Sequence, residues 1–461
     1  MGLHAALVKH VTLPLWSRRH GRRHLRHVAH FERLHRSSAE EIAASQRQAL
    51  RALVAHAYEN CTYYREQFDQ AGLRPEEVGS AADLASLSPL TKDIVRGRPI
   101  EHFLAGNYTA DRRHKAMTGG STGSPMVFYR DDRCIDMRWA ATIAFDRWYG
   151  WDIGEKMGVV WGARGDYEWQ RTLKARVRNL LVDRVLPLDS SSMTRAKVRE
   201  YVERLRRFRP RMVLGYPNPL YVVAREMIEA GVDDLRPRAV VSTAEPLAEQ
   251  QRATIGQAFG CRVFDRYTSR ESGIIATECE AGDGMHISAG SVLVEVVRGD
   301  RAAGDGEPGV LLVTDLLNYA MPLIRYRIGD VAELTHEPCP CGRGLPRLRK
   351  VVGRTTDFLV ATDGSLVSGI AMWALLREAE FPGQAQFIQE RKGEVTARIA
   401  GRDRIGPGGM ERLEKALRRY LGADMGLRFE YVEQIEPTPS GKYLYTVCRI
   451  PLDEVWKAPA R

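Results

Sequence analysis

The sequence predicts an α/β protein in two parts. A large N-terminal domain combines helices with mixed, mainly parallel sheet, and a small α+β domain follows it. Three observations carry this expectation. The chain has 461 residues, too many for one hydrophobic core. From 133 to 320, short apolar strands alternate with amphipathic helices, the pattern of parallel sheet with helical crossovers. Beyond about residue 355 the pattern becomes alternating strands around one helix, over about 100 residues, a usual domain size. The domains are therefore expected to be 1–355 and 356–461.

Residues 1–36 hold eight Lys/Arg against one acid, Glu32, and seven of the twelve histidines. They are expected to form a solvated basic helix pair, packed on the main domain by Leu13, Leu15, Trp16, Leu25, Val28 and Phe31. The net charge of +10 keeps a peripheral contact with an acidic membrane as the other reading; no nucleic-acid partner is expected. No run of 18 apolar residues predicts a membrane span. The apolar part of the N-terminus precedes its arginines, the wrong order for a secretory signal, so a cytoplasmic protein is expected. Seven scattered cysteines argue against a disulfide scaffold.

Ala49, Leu50, Leu53, Val54 and Ala57 recur at helical spacing and predict a helix over 39–60. An aromatic-rich helix–turn–helix follows, and Pro89-Leu90-Thr91-Lys92-Asp93 opens a short helix. Thr118-Gly119-Gly120-Ser121-Thr122-Gly123-Ser124-Pro125 suits a loop that wraps N–H groups and hydroxyls around phosphate. It lacks the lysine of a P-loop, and a solvated turn is its other reading. Met126–Tyr129 reads as the next strand. Short strands are predicted at 158–161, 212–214, 240–241 and 263–264, and an amphipathic helix at 194–208. Antiparallel strands are expected at 291–297 and 309–314. Strands at 394–399, at Leu427, Phe429 and Tyr431, and at Tyr443, Tyr445 and Val447, with a helix at 408–421, make the small domain.

Several polar clusters end these strands. Ser242-Thr243-Ala244-Glu245-Pro246 closes one. Tyr267, whose ring can stack on a base, and Glu271, which can hold Mg²⁺, close another. Asp330 suits two ribose hydroxyls. Lys442 stands on a Pro/Gly turn. Each also reads as an ordinary turn residue or helix-terminal acid. Cys279, His286, Cys339 and Cys341 offer three thiolates and an imidazole, the donor set of tetrahedral zinc; free thiols and a surface histidine are the other reading.

Five ordered motifs, TGGSTGSP, STAEPL, DRYTSRESG, PLIRYRIGD with CGRGLPRL, and PTPSGK, resemble the acyl-adenylate-forming enzymes. The similar branch is that of phenylacetate–CoA ligase and CapK-like proteins, and the resemblance spans nearly the whole chain. It implies that Thr118, Gly119, Gly120, Ser121, Thr122 and Gly123 hold the phosphates of ATP. Ala244, Glu245 and Pro246 would line the adenine, with Tyr267 on its face. Glu271 would bind Mg²⁺, and Asp330 the ribose, with Arg354 nearby. Lys442 would reach the α-phosphate and Asp357 would be the hinge of a C-terminal lid. Ser124, Thr268 and the segment after Asp357 depart from the family pattern.

The implied activity is ATP-dependent, AMP-forming activation of a carboxylic acid, followed by transfer to CoA. The alternatives are transfer to an amine or hydroxyl in polysaccharide or natural-product synthesis, and a non-catalytic basic protein that binds nucleic acid or membrane. Trp148, Trp161, Tyr216 and Pro217 read either as lining around the acid or as plain core residues.

Overall fold

A computed structural model of the chain describes residues 2–118, 126–161, 172–190, 193–354, 358–364, 366–368, 372, 375–376, 381, 384–400, 408–435 and 445–450. The α/β expectation holds. The helix Ala39–Asn60 starts where Ser38 and Glu41 cap each other's backbone N–H groups, a reciprocal arrangement that satisfies two orphan donors. It buries Leu50, Leu53, Val54 and Ala57 in a core shared with Tyr63, Tyr64 and Phe68. A small hairpin of β1 (His114–Met117) and β2 (Val127–Arg130) comes next.

The main sheet has two halves. One is parallel: β3 (Met157–Trp161), β4 (Val185–Asp189), β5 (Met212–Gly215), β6 (Ala239–Thr243) and β7 (Arg262–Ser269), in the order β4-β3-β5-β6-β7. Helices Arg195–Phe208, Pro217–Glu229 and Glu249–Phe259 cross over between its strands. Val198, Tyr201, Val202 and Leu205 of the first lie in the same core as Val213, Val240 and Val263 of the strands. The other half is antiparallel: β8 (Gly273–Glu278), β9 (Met285–Ile287), β10 (Val292–Arg298), β11 (Arg301–Ala302), β12 (Gly309–Asp315), β13 (Tyr326–Thr335) and β14 (Arg347–Arg354). Its order is β11-β10-β12-β13-β14-β9-β8, and β8 joins β7 to give one twelve-stranded sheet. The antiparallel strands expected at 291–297 and 309–314 are β10 and β12, paired directly.

The C-terminal part contains a hairpin of β15 (Phe358–Val360) and β16 (Leu366–Ser368). It also holds a sheet of β17 (Gln384–Arg391), β18 (Glu394–Ala400), β19 (Gly426–Val432) and β20 (Thr446–Cys448), ordered β19-β18-β17-β20. Helix Gly409–Leu421 buries Leu413, Leu417 and Leu421 against Phe387, Val395 and Ile399. Val360, Cys448 and Ile450 pack on Val310, Leu312 and Val331 of the main sheet.

Three side-chain expectations are corrected. Tyr431 is exposed: it lies near the end of the edge strand β19, on the face whose Leu427 and Phe429 pack on the core. In β20, Thr446 and Cys448 point inward and Val447 is half-buried, the opposite phase to that expected. Leu15 does not pack on the main domain; it is 59% exposed. Leu13, Val28 and Phe31 do the packing, with Trp16 and Leu25 at the margin.

Candidate functional site

Because β3, β5, β6 and β7 run parallel, their carboxyl ends open on one side, where ligands meet sheets of this kind. Trp161 ends β3, and its ring lies 4.3 Å from that of Tyr216, just past β5. Ala244 follows β6 in a left-handed conformation (φ 67°), one that side-chain-bearing residues seldom adopt. Glu245 accepts a hydrogen bond from Asn218 Nδ2 at 3.4 Å. Below it, the Thr243 hydroxyl donates to the Arg266 carbonyl at 2.8 Å and lies 3.0 Å from the Thr268 hydroxyl. Pro246 is exposed beside them.

Tyr267 lies on β7 and Asp330 on β13. Four strand steps separate these strands in the sheet order, about 19 Å in a flat sheet. Yet the Tyr267 hydroxyl donates a hydrogen bond to Asp330 Oδ2. The sheet therefore curls until the β7–β8 turn meets the start of β13. Asp330 follows Gly329 (φ 97°) at a register shift and faces Arg354 across the β13–β14 ladder.

Glu271, in the β7–β8 turn, is buried. Tyr326 donates its phenolic hydrogen to Glu271 Oε1 at 3.1 Å. Burial and the neighbouring carboxylate hold that phenol well above the usual tyrosine range, so it stays a donor. Lys92 Nζ lies 3.9 Å from the same oxygen. Lys92 gets there because Leu90 bridges to β13: the Leu90 N–H donates to the Arg325 carbonyl and the Arg327 N–H to the Leu90 carbonyl. Arg325 reinforces the join through Glu295 at 3.0 Å and the Ala85 carbonyl at 3.0 Å.

Thr118 closes the neck of the glycine loop. It exchanges backbone and side-chain hydrogen bonds with Met126, both at 2.9 Å. Tyr326 touches the Met126 sulfur at 4.0 Å, so one phenol links Glu271 to that neck. Gly119, Gly120, Ser121, Thr122, Gly123, Asp357 and Lys442 lie outside the described residues.

Sequence reasoning missed two supports. Tyr326 stood in a motif between Arg325 and Arg327, where nothing local pointed to a partner for its hydroxyl. Arg138, on helix Asp132–Asp146, is buried and pairs with Asp315 at 2.5 Å. It also donates to the carbonyls of Arg270 and Glu271, holding the turn that presents Glu271. Arg138→Met is expected to destabilise the fold by about 3–5 kcal/mol, because Asp315 is left as a buried, unpaired charge. Denaturant unfolding measures this directly, and a loss under 1 kcal/mol would deny the pair its role (~1 kcal/mol being the range of exposed pairs).

The four sulfur and nitrogen donors converge elsewhere. Cys279, His286, Cys339 and Cys341 place their ligand atoms within 4.8 Å of one another. Cys279 Sγ is 3.6 Å from Cys339 Sγ, and Cys341 Sγ is 3.2 Å from His286 Nε2. Three thiols and one imidazole nitrogen, mostly buried, fit tetrahedral zinc, with every position filled by protein. Trp148 is corrected here: its ring is 5.5 Å from that of His286, under the Arg343 guanidinium at 4.1 Å. It belongs to this cluster, apart from Trp161 and Tyr216.

Residues 359–448 match the family model described as CapK C-terminal domain. Protein CapK of Staphylococcus aureus is 24% identical over 414 residues, covering 88% of this chain and 89% of its own length. The phenylacetate-coenzyme A ligase of Aromatoleum evansii is 29% identical over 346 residues, 71% of this chain and 74% of that one. These matches make the chain similar to the phenylacetate–CoA ligase and CapK-like branch of the acyl-adenylate-forming proteins. The crystal structure of 2-hydroxyisobutyryl-CoA ligase in the postadenylation state shares the fold of this CapK-like chain. It aligns with a TM-score of 0.70 at 19% identity, covering 92% of each chain.

Proposed function

We propose that this chain is an ATP-dependent, AMP-forming ligase that activates a carboxylic acid as its acyl-adenylate and passes the acyl group to CoA. The observation that carries this is the meeting of Tyr267 with Asp330, and of Glu271 with Tyr326 and Lys92, around the neck of the glycine loop. The relatives' names, phenylacetate-coenzyme A ligase and 2-hydroxyisobutyryl-CoA ligase, support the reaction class. In this reading Ala244, Glu245 and Pro246 border the adenine, Tyr267 lies on its face, and Asp330 takes the ribose hydroxyls with Arg354 beside it. Thr118 to Gly123 wrap the phosphates.

The acid's carboxylate oxygen attacks the α-phosphorus, and pyrophosphate leaves. Two anions must approach, so the site has to supply positive charge where charge builds up. Lys442 does so from the C-terminal domain, residues 356–461, and Lys92 from beside Glu271. Glu271 fits as the carboxylate for Mg²⁺, which would neutralise the phosphate oxygens. The CoA thiol then attacks the acyl carbon, and AMP leaves. Asp357 serves as the hinge that exchanges the two half-reactions. Cys279, His286, Cys339 and Cys341 hold a structural zinc ion.

The second reading keeps the adenylation and passes the acyl group to an amine or hydroxyl. One assay tests both. Pyrophosphate release is measured across a panel of carboxylic acids, with and without CoA. Acid-dependent release with thioester formation supports the first reading. Release without thioester moves the acceptor to an amine or hydroxyl, and no release with any acid removes the ligase reading.

A further inference from the structure

Residues Leu3–Arg19 form one helical run, two α-helical pieces around a π turn at Val8–Thr12. Ala5, Val8, Leu13 and Ser17 are buried, and Val8 and Leu13 share a core with Met137, Ala140 and Ile153. That stripe explains the attachment of the run to the domain. It does not explain a second apolar stripe. Leu3, Leu7, Val11 and Leu15, spaced four apart, all face solvent, Leu3 at 90% exposure.

A second helical run lies alongside, Leu173–Arg178 continuing through Asn179–Asp183. His4 contacts the Leu180 carbonyl at 3.2 Å, and Thr12 donates to the Leu181 carbonyl. The Arg178 guanidinium lies 4.6 Å over the Trp16 ring. This run also exposes its large apolar side chains: Leu173 at 77%, Leu180 at 61%, with Val177 and Leu181. Two adjacent helices thus present, as a single ridge, eight of the thirteen exposed large apolar side chains among the described residues.

The carboxylates on and beside the two runs, Asp183 and Asp152, are paired with Arg178 and Lys9, and the unpaired charge is positive. Arg18, Arg19, Arg23, Arg26, Lys174 and Arg176 make no side-chain ion pair among the described residues. At the other end, Gly2, His4 and Ala5 form part of the wall of a cavity of about 550 Å³. Six cations, among them Arg184, Arg209 and Arg238, line it against two carboxylates, Glu155 and Asp234.

We propose that this ridge is an interfacial docking surface for an anionic lipid bilayer. An apolar ridge flanked by unpaired cations matches a membrane surface, where aliphatic side chains enter the acyl boundary and cations meet phosphate headgroups. A nucleic acid would use the cations and leave the leucines in water. A second copy of this chain would bring the same cations against each other.

The test uses the full-length protein and flotation with vesicles of phosphatidylcholine, with and without phosphatidylglycerol. The chain floats with the anionic vesicles and much less with the neutral ones. Combined Leu3→Gln, Leu7→Gln, Leu173→Gln and Leu180→Gln weakens this at least about a hundredfold, from the lost apolar burial. These side chains are exposed, so the thermal melt stays unchanged. Hydrogen exchange on the unsubstituted chain gives an independent reading: anionic vesicles slow exchange across 3–19 and 173–183. Failure to float, flotation indifferent to the four substitutions, or protection elsewhere overturns the proposal. So does a vesicle-independent dimer that the substitutions dissociate, or binding of duplex DNA without vesicle binding.

Discussion

Glu271→Gln is expected to cut acid-dependent pyrophosphate release by about a hundred- to a thousandfold, the usual scale for one group that stabilises developing charge in a transition state. Glutamine keeps the size of the side chain, and its carbonyl oxygen still accepts the hydrogen bond that Tyr326 donates at 3.1 Å. What it loses is the negative charge facing Lys92 Nζ at 3.9 Å and the hard oxygen donor that Mg²⁺ prefers. The fold should tolerate the change, because Arg138 grips the turn through the backbone carbonyls of Arg270 and Glu271, not through the carboxylate. A thermal melt close to that of the parent protein, with release measured at saturating acid and varied Mg²⁺, separates chemistry from folding. Lys442→Ala should match this loss through the other domain. The double variant should cost less than the product of the two, since both act on one transition state. If Glu271→Gln releases pyrophosphate at the parent rate and with the same Mg²⁺ dependence, the metal site lies elsewhere.

Local pattern carried much of the fold. The helix at 39–60 could be read because its apolar residues repeat at helical spacing. The strands β3, β5, β6 and β7 were legible as short apolar runs, β6 and β7 closed by polar residues and β5 by Gly215-Tyr216-Pro217. How the strands assemble was not. Nothing local says that β7, β8, β9 and β14 join a parallel half to an antiparallel half, because strand pairing depends on partners distant in the chain. Tyr326 is the clearest case. Set between Arg325 and Arg327 in an alternating strand, it reads as the inward-facing core residue, and it is core; its role comes from the curl that brings Glu271 to its hydroxyl. Lys92 reads only as part of a helix-opening loop, because the carboxylate it meets, Glu271, is far along the chain. Trp148 shows the reverse error: an aromatic residue near the strands looks like pocket lining, yet it covers His286. Leu15 misled for another reason. An apolar residue in an amphipathic helix is expected inside, and a helix with two apolar stripes violates that expectation.

Removing a metal from the four-residue cluster should lower the melting temperature by about 10 °C or more, since the binding free energy of a structural site adds to folding free energy. The location of the cluster explains the size of the effect. Cys279 follows β8, His286 lies on β9, and Cys339 and Cys341 belong to the β13–β14 connection. These elements form a seam within the antiparallel half, where β14 joins β8 through β9. The ladder there is thin: β9 meets β14 at Arg347 opposite His286 and Leu348 opposite Met285. An ion held by all four side chains would tie that seam where few backbone hydrogen bonds do. The purified protein is therefore expected to carry about one zinc per chain, the stoichiometry of one closed four-ligand site. Cys339→Ser should lose it and melt early. Chelation should also change tryptophan fluorescence, because the Trp148 ring lies against His286 and under Arg343. Below the lowered melting temperature, acid-dependent pyrophosphate release per folded molecule should survive, since no cluster residue contacts Tyr267, Glu271 or Asp330 in a described hydrogen bond. Metal-free protein with an unchanged melt in Cys339→Ser would leave four reduced side chains and no staple. Release that vanished with the metal while the fold stayed intact would make the site catalytic, against the closed donor set.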